Sequence, residues 1–194
     1  MLWFLIKYHM EFINYPTGTQ NITLITEPRG YNRLFAYRDY ELKQNDSIIG
    51  RITSAWAIID VETRAIIKPE NAIINNDYMT PHTKREDDLD FKKMSPLDNV
   101  DITKEFFVRY NDLDINGHAN NGNYIIWAFE PLEFDFRTTH KIKVLDIVYK
   151  KEALFGDKIV VQIQHKDPLI TTIHSVKNSS GEELCSLECI WDAI

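Results

Sequence analysis

The densest run of chemically capable side chains in the sequence is Arg109-Tyr110-Asn111-Asp112-Leu113-Asp114-Ile115-Asn116-Gly117-His118-Ala119-Asn120-Asn121. A carboxylate, a carboxamide and an imidazole recur at every second position in Asp114, Asn116 and His118, a set suited to proton transfer and to hydrogen bonding a polarised carbonyl. The run lies between a strand candidate, Glu105–Tyr110, and a helix candidate, His118–Phe129, in which Tyr124, Ile125, Ala128 and Phe129 recur at helical spacing. A helix N-terminus presents unpaired backbone N–H groups and the positive end of the helix dipole, which can hold a carbonyl oxygen as it gains negative charge. Asp and Asn also form turns and cap helices, so the run by itself leaves both readings open.

The elements that must position this run follow from periodicity. Downstream, Pro131 should disturb or end the helix. Four strand candidates follow it, Lys141–Tyr149, Lys158–His165, Leu169–Lys177 and Glu183–Trp191, with a hairpin turn at Ser179–Gly181. The second half therefore reads β-α-β-β-β-β. Upstream, Leu5–Phe12 alternates with period two, and Asn21–Thr26, Leu34–Leu42 and Ile48–Asp60 are rich in β-branched and aromatic residues, with turn chemistry at Pro16–Gly18, Pro28–Gly30 and Asn45–Asp46. Residues 68–103 carry Pro69, Pro81, Pro96 and the charge run Lys84–Asp90 and read as a linker between domains at 1–67 and 104–194. The halves also show a weak repeat. Gly18 and Gly156 each precede a strand, and Trp56 and Trp191 each close a later one. The segment before Gly18 is too short to hold the strand and helix that precede Gly156, so the first copy is expected to lack both.

Composition narrows the functional classes. With 194 residues, 44% hydrophobic and 26% charged, the chain is an ordinary globular sequence rather than a disordered one. Its net charge of −7 disfavours general binding to nucleic acid or anionic membranes. The apolar run Leu2–Ile6 is cut off by Lys7, far short of the roughly 20 residues that span a bilayer, and no secretory signal pattern follows. A cytoplasmic location is expected. Cys185 and Cys189 lie four apart on one strand candidate, about 13 Å from each other, and cannot be bonded. No zinc-type spacing occurs, so neither metal nor cofactor is expected.

The string Asp112-Leu113-Asp114-Ile115-Asn116-Gly117-His118-Ala119-Asn120-Asn121, followed by Tyr124-Ile125 and Trp127, resembles the second half of acyl-acyl-carrier-protein (acyl-ACP) thioesterases. Ser54-Ala55-Trp56 with Ile58-Ile59-Asp60 and Thr63-Arg64 is similar to the end of that family's first half, and Tyr149-Lys150-Lys151-Glu152 to its downstream catalytic stretch. The resemblance implies an α+β double hot-dog fold in which the second hot dog is complete and the first lacks its N-terminal strand and central helix. It implies hydrolysis of a fatty acyl-ACP thioester to free fatty acid and holo-ACP, with acyl carrier protein as partner and Asp114, Asn116, His118 and Glu152 as the catalytic set. Many plant members have Cys after that Glu. Here Ala153 stands there, which excludes a nucleophilic cysteine at this position.

Those four side chains also make chemical sense together. Thioester hydrolysis needs a deprotonated water, a polarised carbonyl and a released thiolate. Glu152 is assigned to activating water, Asn116 to the carbonyl or thioester, and Asp114 to orienting His118 as proton shuttle. His118 as nucleophile is the competing assignment. The remaining histidines, His9, His82, His140, His165 and His174, read as surface or packing residues. Lys141, Lys143, Lys150, Lys151 and Arg109 form a candidate basic patch for an acidic carrier. The missing helix would leave the apolar faces of Leu5–Phe12 and Leu34–Leu42 uncovered, with Ile6, Tyr8, Met10 and Phe12 or their opposite-face neighbours exposed, favouring self-association into a homo-oligomer. Two other readings remain: an acyl-CoA thioesterase or other hot-dog enzyme such as a hydratase, and an inactive acyl-binding fragment. Acyl-chain length is not legible.

Overall fold

The computed structural model describes residues 1–72, 80–166 and 171–194. The chain divides between Lys92 and Lys93 into two compact units, each built on an antiparallel sheet with little helix. In the first unit the strands are β1 (Leu2–Phe12), β2 (Thr23–Tyr31), β3 (Ala36–Gln44), β4 (Ser47–Ile59) and the short β5 (Ile66–Ile67), followed by α1 (Pro69–Ala72). They lie in the order β2-β3-β4-β1, and β5 pairs with the end of β4 beyond the reach of β3.

Two turn signals in this unit have different outcomes. Asn45 and Asp46 take positive φ, as a two-residue hairpin loop between β3 and β4 requires. Pro28–Gly30, expected as a turn, instead lies inside β2, where the register against β3 shifts between Pro28 and Tyr31. Proline is tolerated there because β2 is an edge strand of this unit's sheet and the irregularity removes the need for its N–H. Gly30 has φ 84°, and a Cβ there would come 2.3 Å from the carbonyl oxygen of Thr80. The segment entering at Thr80 thus needs glycine beneath it.

The stretch 68–103, expected as a linker, is shared between the units; its residues 73–79 lie outside the described residues. Residues 80–92 form a strap over one face of the first sheet. Main-chain bonds tie it to Tyr31, His82 and Phe91 pack against Tyr37, and the Lys7 ammonium sits 4.4 Å from the centre of the Phe91 ring. At its centre the Arg29 guanidinium lies 2.5 Å from Asp39 and 2.6 Å from Asp88. On the opposite face Tyr8 meets Tyr40 edge to ring at 6.4 Å, and Met10, Ile52 and Tyr40 are in register. Ile6, Tyr8, Met10 and Phe12 are half-buried rather than exposed, while Trp3 and Leu24 are more than half exposed. Among the described residues this unit holds no helix longer than the four residues of α1.

The second unit runs β6 (Ile102–Phe107), a 3-10 turn at Tyr110–Asp112, α2 (Asn121–Phe129), α3 (Phe134–Thr139), β7 (His140–Tyr149), β8 (Lys158–Lys166), β9 (Thr171–Asn178) and β10 (Glu183–Ala193). The first two residues of the expected strand Leu169–Lys177 lie outside the described residues. The sheet order is β7-β10-β9-β8-β6, and α2 lies over β8, β9 and β10 with Tyr124, Trp127 and Ala128 buried against a core that includes Ile147, Ile159, Val161, Ile163 and Leu187. The helix begins three residues later than expected, because His118 and Ala119 are held in extended bridges to Leu154 and Leu113. It ends at Phe129, before Pro131, but a further short helix, α3, follows that periodicity did not show. His174, wholly buried, donates from Nδ1 to the Ala128 carbonyl at 2.8 Å and accepts at Nε2 from Thr172, which itself accepts from the Trp191 indole. Burial lowers its imidazole to a pKa of about 4, so it packs as a neutral ring. Both cysteines are buried and unbridged.

Candidate active site

The loop from Arg109 to Asn120 is organised by two carboxylates that bind backbone. Asp112, 2% exposed, accepts from the Arg109 main-chain N–H at 2.8 Å and from the Arg109 guanidinium at 2.9 and 3.2 Å. Burial pushes the Asp112 carboxyl up, and the Arg109 hydrogen bonds outweigh it and hold the group below the usual carboxylate range. Asp114 accepts the backbone N–H of Asn116 at 2.8 Å and that of His118 at 3.2 Å, while its own N–H donates to the His118 carbonyl at 2.7 Å. Gly117 closes the turn at φ 80°, the left-handed region glycine enters freely.

Asp114 therefore reaches His118 through the main chain. The expectation that it orients the imidazole is corrected: the ring partner is Glu152, whose Oε1 lies 3.2 Å from His118 Nδ1. Both side chains are about one quarter exposed, at 27% and 24%. The approach is fixed by a short antiparallel contact, in which Ala119 N–H donates to the Ala153 carbonyl at 2.9 Å and His118 bridges Leu154. Asn116 sits on the exposed turn, its amide 3.5 Å from Asp114 Oδ2. Of the four expected site residues the structure thus pairs His118 with Glu152, ties Asp114 to the loop's own backbone, and leaves Asn116 at its exposed turn.

The pair can hold one tautomer. With Nδ1–H directed at the carboxylate, His118 Nε2 is the nitrogen left to take up or deliver a proton. The helix that follows is anchored to the loop at its start: Asn120 Oδ1 caps the Gly122 N–H at 2.9 Å, and the Asn123 amide donates to the Asp112 carbonyl at 2.7 Å. Sequence reading missed Asn123, and it placed Tyr124 only as a helix packing residue. The Tyr124 hydroxyl accepts from the Ala153 N–H at 2.7 Å and donates to the Lys151 carbonyl at 3.3 Å. The signal for both residues was their place immediately after the motif, on the helix turn facing the loop.

The candidate basic patch is largely neutralised. Lys150 and Lys151 pair with Glu183 and Glu182, Lys143 lies 3.3 Å from Asp192, and Arg109 is held by Asp112. Among the described residues no group of three His, Cys, Asp or Glu side chains is placed to hold a metal ion, and no helix is long and apolar enough to cross a membrane.

Comparison with known proteins gives a consistent result over both units. The family model of the acyl-ACP thioesterase C-terminal domain matches residues 95–193, and that of the N-terminal domain matches residues 1–76. The chain is 27% identical to an oleoyl-acyl carrier protein thioesterase, chloroplastic, of Coriandrum sativum, an alignment covering 100% of the chain and 55% of that protein. It is 26% identical to oleoyl-acyl carrier protein thioesterase 1, chloroplastic, of Arabidopsis thaliana, covering 93% of the chain and 51% of that protein. The chain thus spans about half the length of the curated relatives it matches. Among solved structures, the 12:0-ACP thioesterase from Umbellularia californica superposes with a TM-score of 0.86 at 19% identity, covering all of this chain and 76% of that one, a likeness of fold. With a family match across both units and the motif residues in place, the chain belongs to the acyl-ACP thioesterase family.

Proposed function

We propose that this chain hydrolyses the thioester of a fatty acyl group carried on acyl carrier protein, with His118 and Glu152 as the reacting pair. The observation that carries the reading is their 3.2 Å contact, one quarter exposed, at the edge of a loop whose carboxylates are otherwise occupied with backbone. A water oxygen attacks the thioester carbonyl carbon as the pair takes its proton. The carbonyl oxygen gains charge, and donating to it is the role assigned to Asn116. The C–S bond then breaks, and the proton passes to the departing thiolate, giving free fatty acid and the thiol of the carrier's phosphopantetheine arm. Thiolate is a good leaving group, so a carboxylate and an imidazole suffice for these transfers. Asp114 serves by fixing the loop through the Asn116 and His118 amides. In fold, each unit corresponds to one half of a double hot dog: the second with α2 as its central helix, the first with strands and strap in the described residues.

The test is turnover by the purified chain of acyl-ACP and acyl-CoA bearing the same acyl group, with free thiol as the readout. Hydrolysis of acyl-ACP in clear preference is expected, and Glu152→Gln should lower kcat by about 100-fold or more with little change in KM. Equal or better use of acyl-CoA would favour a different hot-dog hydrolase, and acyl binding without turnover would make the chain a binding module.

A further inference from the structure

Glu152 lies in the irregular stretch between β7 and β8, outside any ladder that would set its backbone. The two peptide groups on either side of its Cα both end on one atom. The Lys151 carbonyl, which belongs to the peptide before Glu152, accepts from the Tyr124 hydroxyl at 3.3 Å, and the Ala153 N–H, which belongs to the peptide after it, donates to that same hydroxyl at 2.7 Å. Holding both peptide planes fixes φ and ψ at Glu152 and hence the direction in which its side chain leaves the backbone. From the other side, the Ala153 carbonyl is tied to Ala119 in the extended segment that bears His118.

We propose that Tyr124 is a positioning residue for Glu152, acting through the flanking peptides to hold the carboxylate against His118. This rests on the reading of that pair as the reacting groups. The phenol is well suited to the task. It is 1% exposed, and its ring is wedged between Trp127 at 5.0 Å and Tyr149 at 5.7 Å, so the hydroxyl has little freedom. Burial pushes its ionisation far above neutral pH, so it keeps the proton it donates. It also stands on the first turn of α2, directly after the motif, so one helix carries both the loop with His118 and the clamp on Glu152. A site held by a rigid element in this way keeps its geometry to within fractions of an ångström.

The test is Tyr124→Phe in the full chain, which keeps the ring and removes the clamp, beside Thr172→Val, which removes a buried hydroxyl of the same unit bonded to His174 Nε2 at 2.7 Å. Tyr124→Phe should lower kcat about tenfold with KM within about twofold, whereas Thr172→Val should leave kcat near wild type. A readout free of substrate accompanies it: the ring Nδ1–H proton resonance of His118, assigned by its loss in His118→Gln, should shift in Tyr124→Phe as it does in Glu152→Gln. Wild-type kcat and an unmoved resonance in Tyr124→Phe would overturn the proposal. A shifted resonance in a chain that turns over no acyl-ACP would uphold the positioning role and remove the proposed function instead. Should Tyr124→Phe fail to fold, rapid exchange of the Ala153 amide proton in the unsubstituted chain would overturn the clamp, and protection equal to the core of β10 would support it.

Discussion

The two units cover an antiparallel sheet in opposite ways. Over the first lies a strap of irregular chain at whose centre charges are paired away from solvent: Arg29 and Asp88, at 6% and 8% side-chain exposure, form an ion pair, and Arg29 also meets Asp39. Over the second lies a helix with an apolar face, and the polar pair His118–Glu152 stands at the rim, exposed at 27% and 24%. A buried charge held by another buried charge has no reach toward a ligand, and its use is to fasten. A pair at the edge of an apolar cover has its geometry fixed by neighbours and still meets solvent. The difference separates polar residues that hold the fold from polar residues that can act.

Breaking the fastening should have the largest effect. Burial acts to lower the Arg29 guanidinium, but the carboxylates of Asp88 and Asp39 outweigh it, and the guanidinium in turn holds the Asp88 carboxyl below its usual range against its own burial. Arg29→Met leaves both carboxylates with no cation at the centre of the strap, and loss of one partner from such a buried pair costs about 3–5 kcal/mol. Amide exchange resolved by residue should show protection falling in β2, β3 and the strap while α2 keeps its own. A variant within about 1 kcal/mol of the parent would mean that Arg29 is dispensable and that strap and sheet are joined by packing alone.

The second unit should announce itself through pH. Burial depresses the His174 imidazole to about 4, against an ordinary value near 6.5 in the unfolded chain, with the hydrogen bond to Ala128 opposing the shift. Between those values the unfolded state binds a proton that the folded state refuses, so stability is complete above about pH 7 and falls as pH drops toward 4, by up to about 3 kcal/mol. The Asp88 carboxyl, lowered from 3.8, behaves differently: its contribution is present above that value and is lost only below it. Acidification should therefore loosen the second unit first. Denaturant titrations across pH 4–7 test this, and His174→Gln should remove about one proton from the slope. An unchanged slope in that variant would show that His174 does not carry the dependence.

How much of this was legible depends on what each feature is made of. Alternation in Leu5–Phe12 and β-branched and aromatic runs between turn signals elsewhere gave at least part of each long strand, and the motif from Asp112 to Asn121 pointed to the loop and to the helix after it, because those features are written in consecutive residues. Pro28–Gly30 misled: the same residues that make a turn also make an edge-strand irregularity, and the deciding fact, the approach of Thr80 to Gly30, comes from a segment fifty residues away in sequence. The strap itself was illegible for a related reason. A charge run such as Lys84–Asp90 ordinarily lies in solvent, and only the placement of Arg29 beneath it turns Asp88 inward. Likewise the Asp114 carboxylate lies four residues from His118 and serves its backbone, while the ring partner comes from Glu152 far along the chain.

The smallest expected effect sharpens the comparison at the point where helix and loop join. In α2 the cap residue Asn120 has extended backbone, φ −61° and ψ 138°, and its side chain accepts from Gly122, which meets one of the helix's unpaired N–H groups. The helix has only nine residues, too few to be stable through propensity, so its start is fixed either by this cap or by the packing of Tyr124 and Trp127. Asn120→Ala should cost about 1 kcal/mol, and Asn120→Asp, which keeps the acceptor and adds a charge favourable at the positive end of the helix dipole, should cost less. Denaturant midpoints at constant slope would measure both. If Asn120→Ala lost nothing, the helix start would be set by burial alone, and the polar residues of the motif would be left for the chemistry of the loop rather than shared with its support.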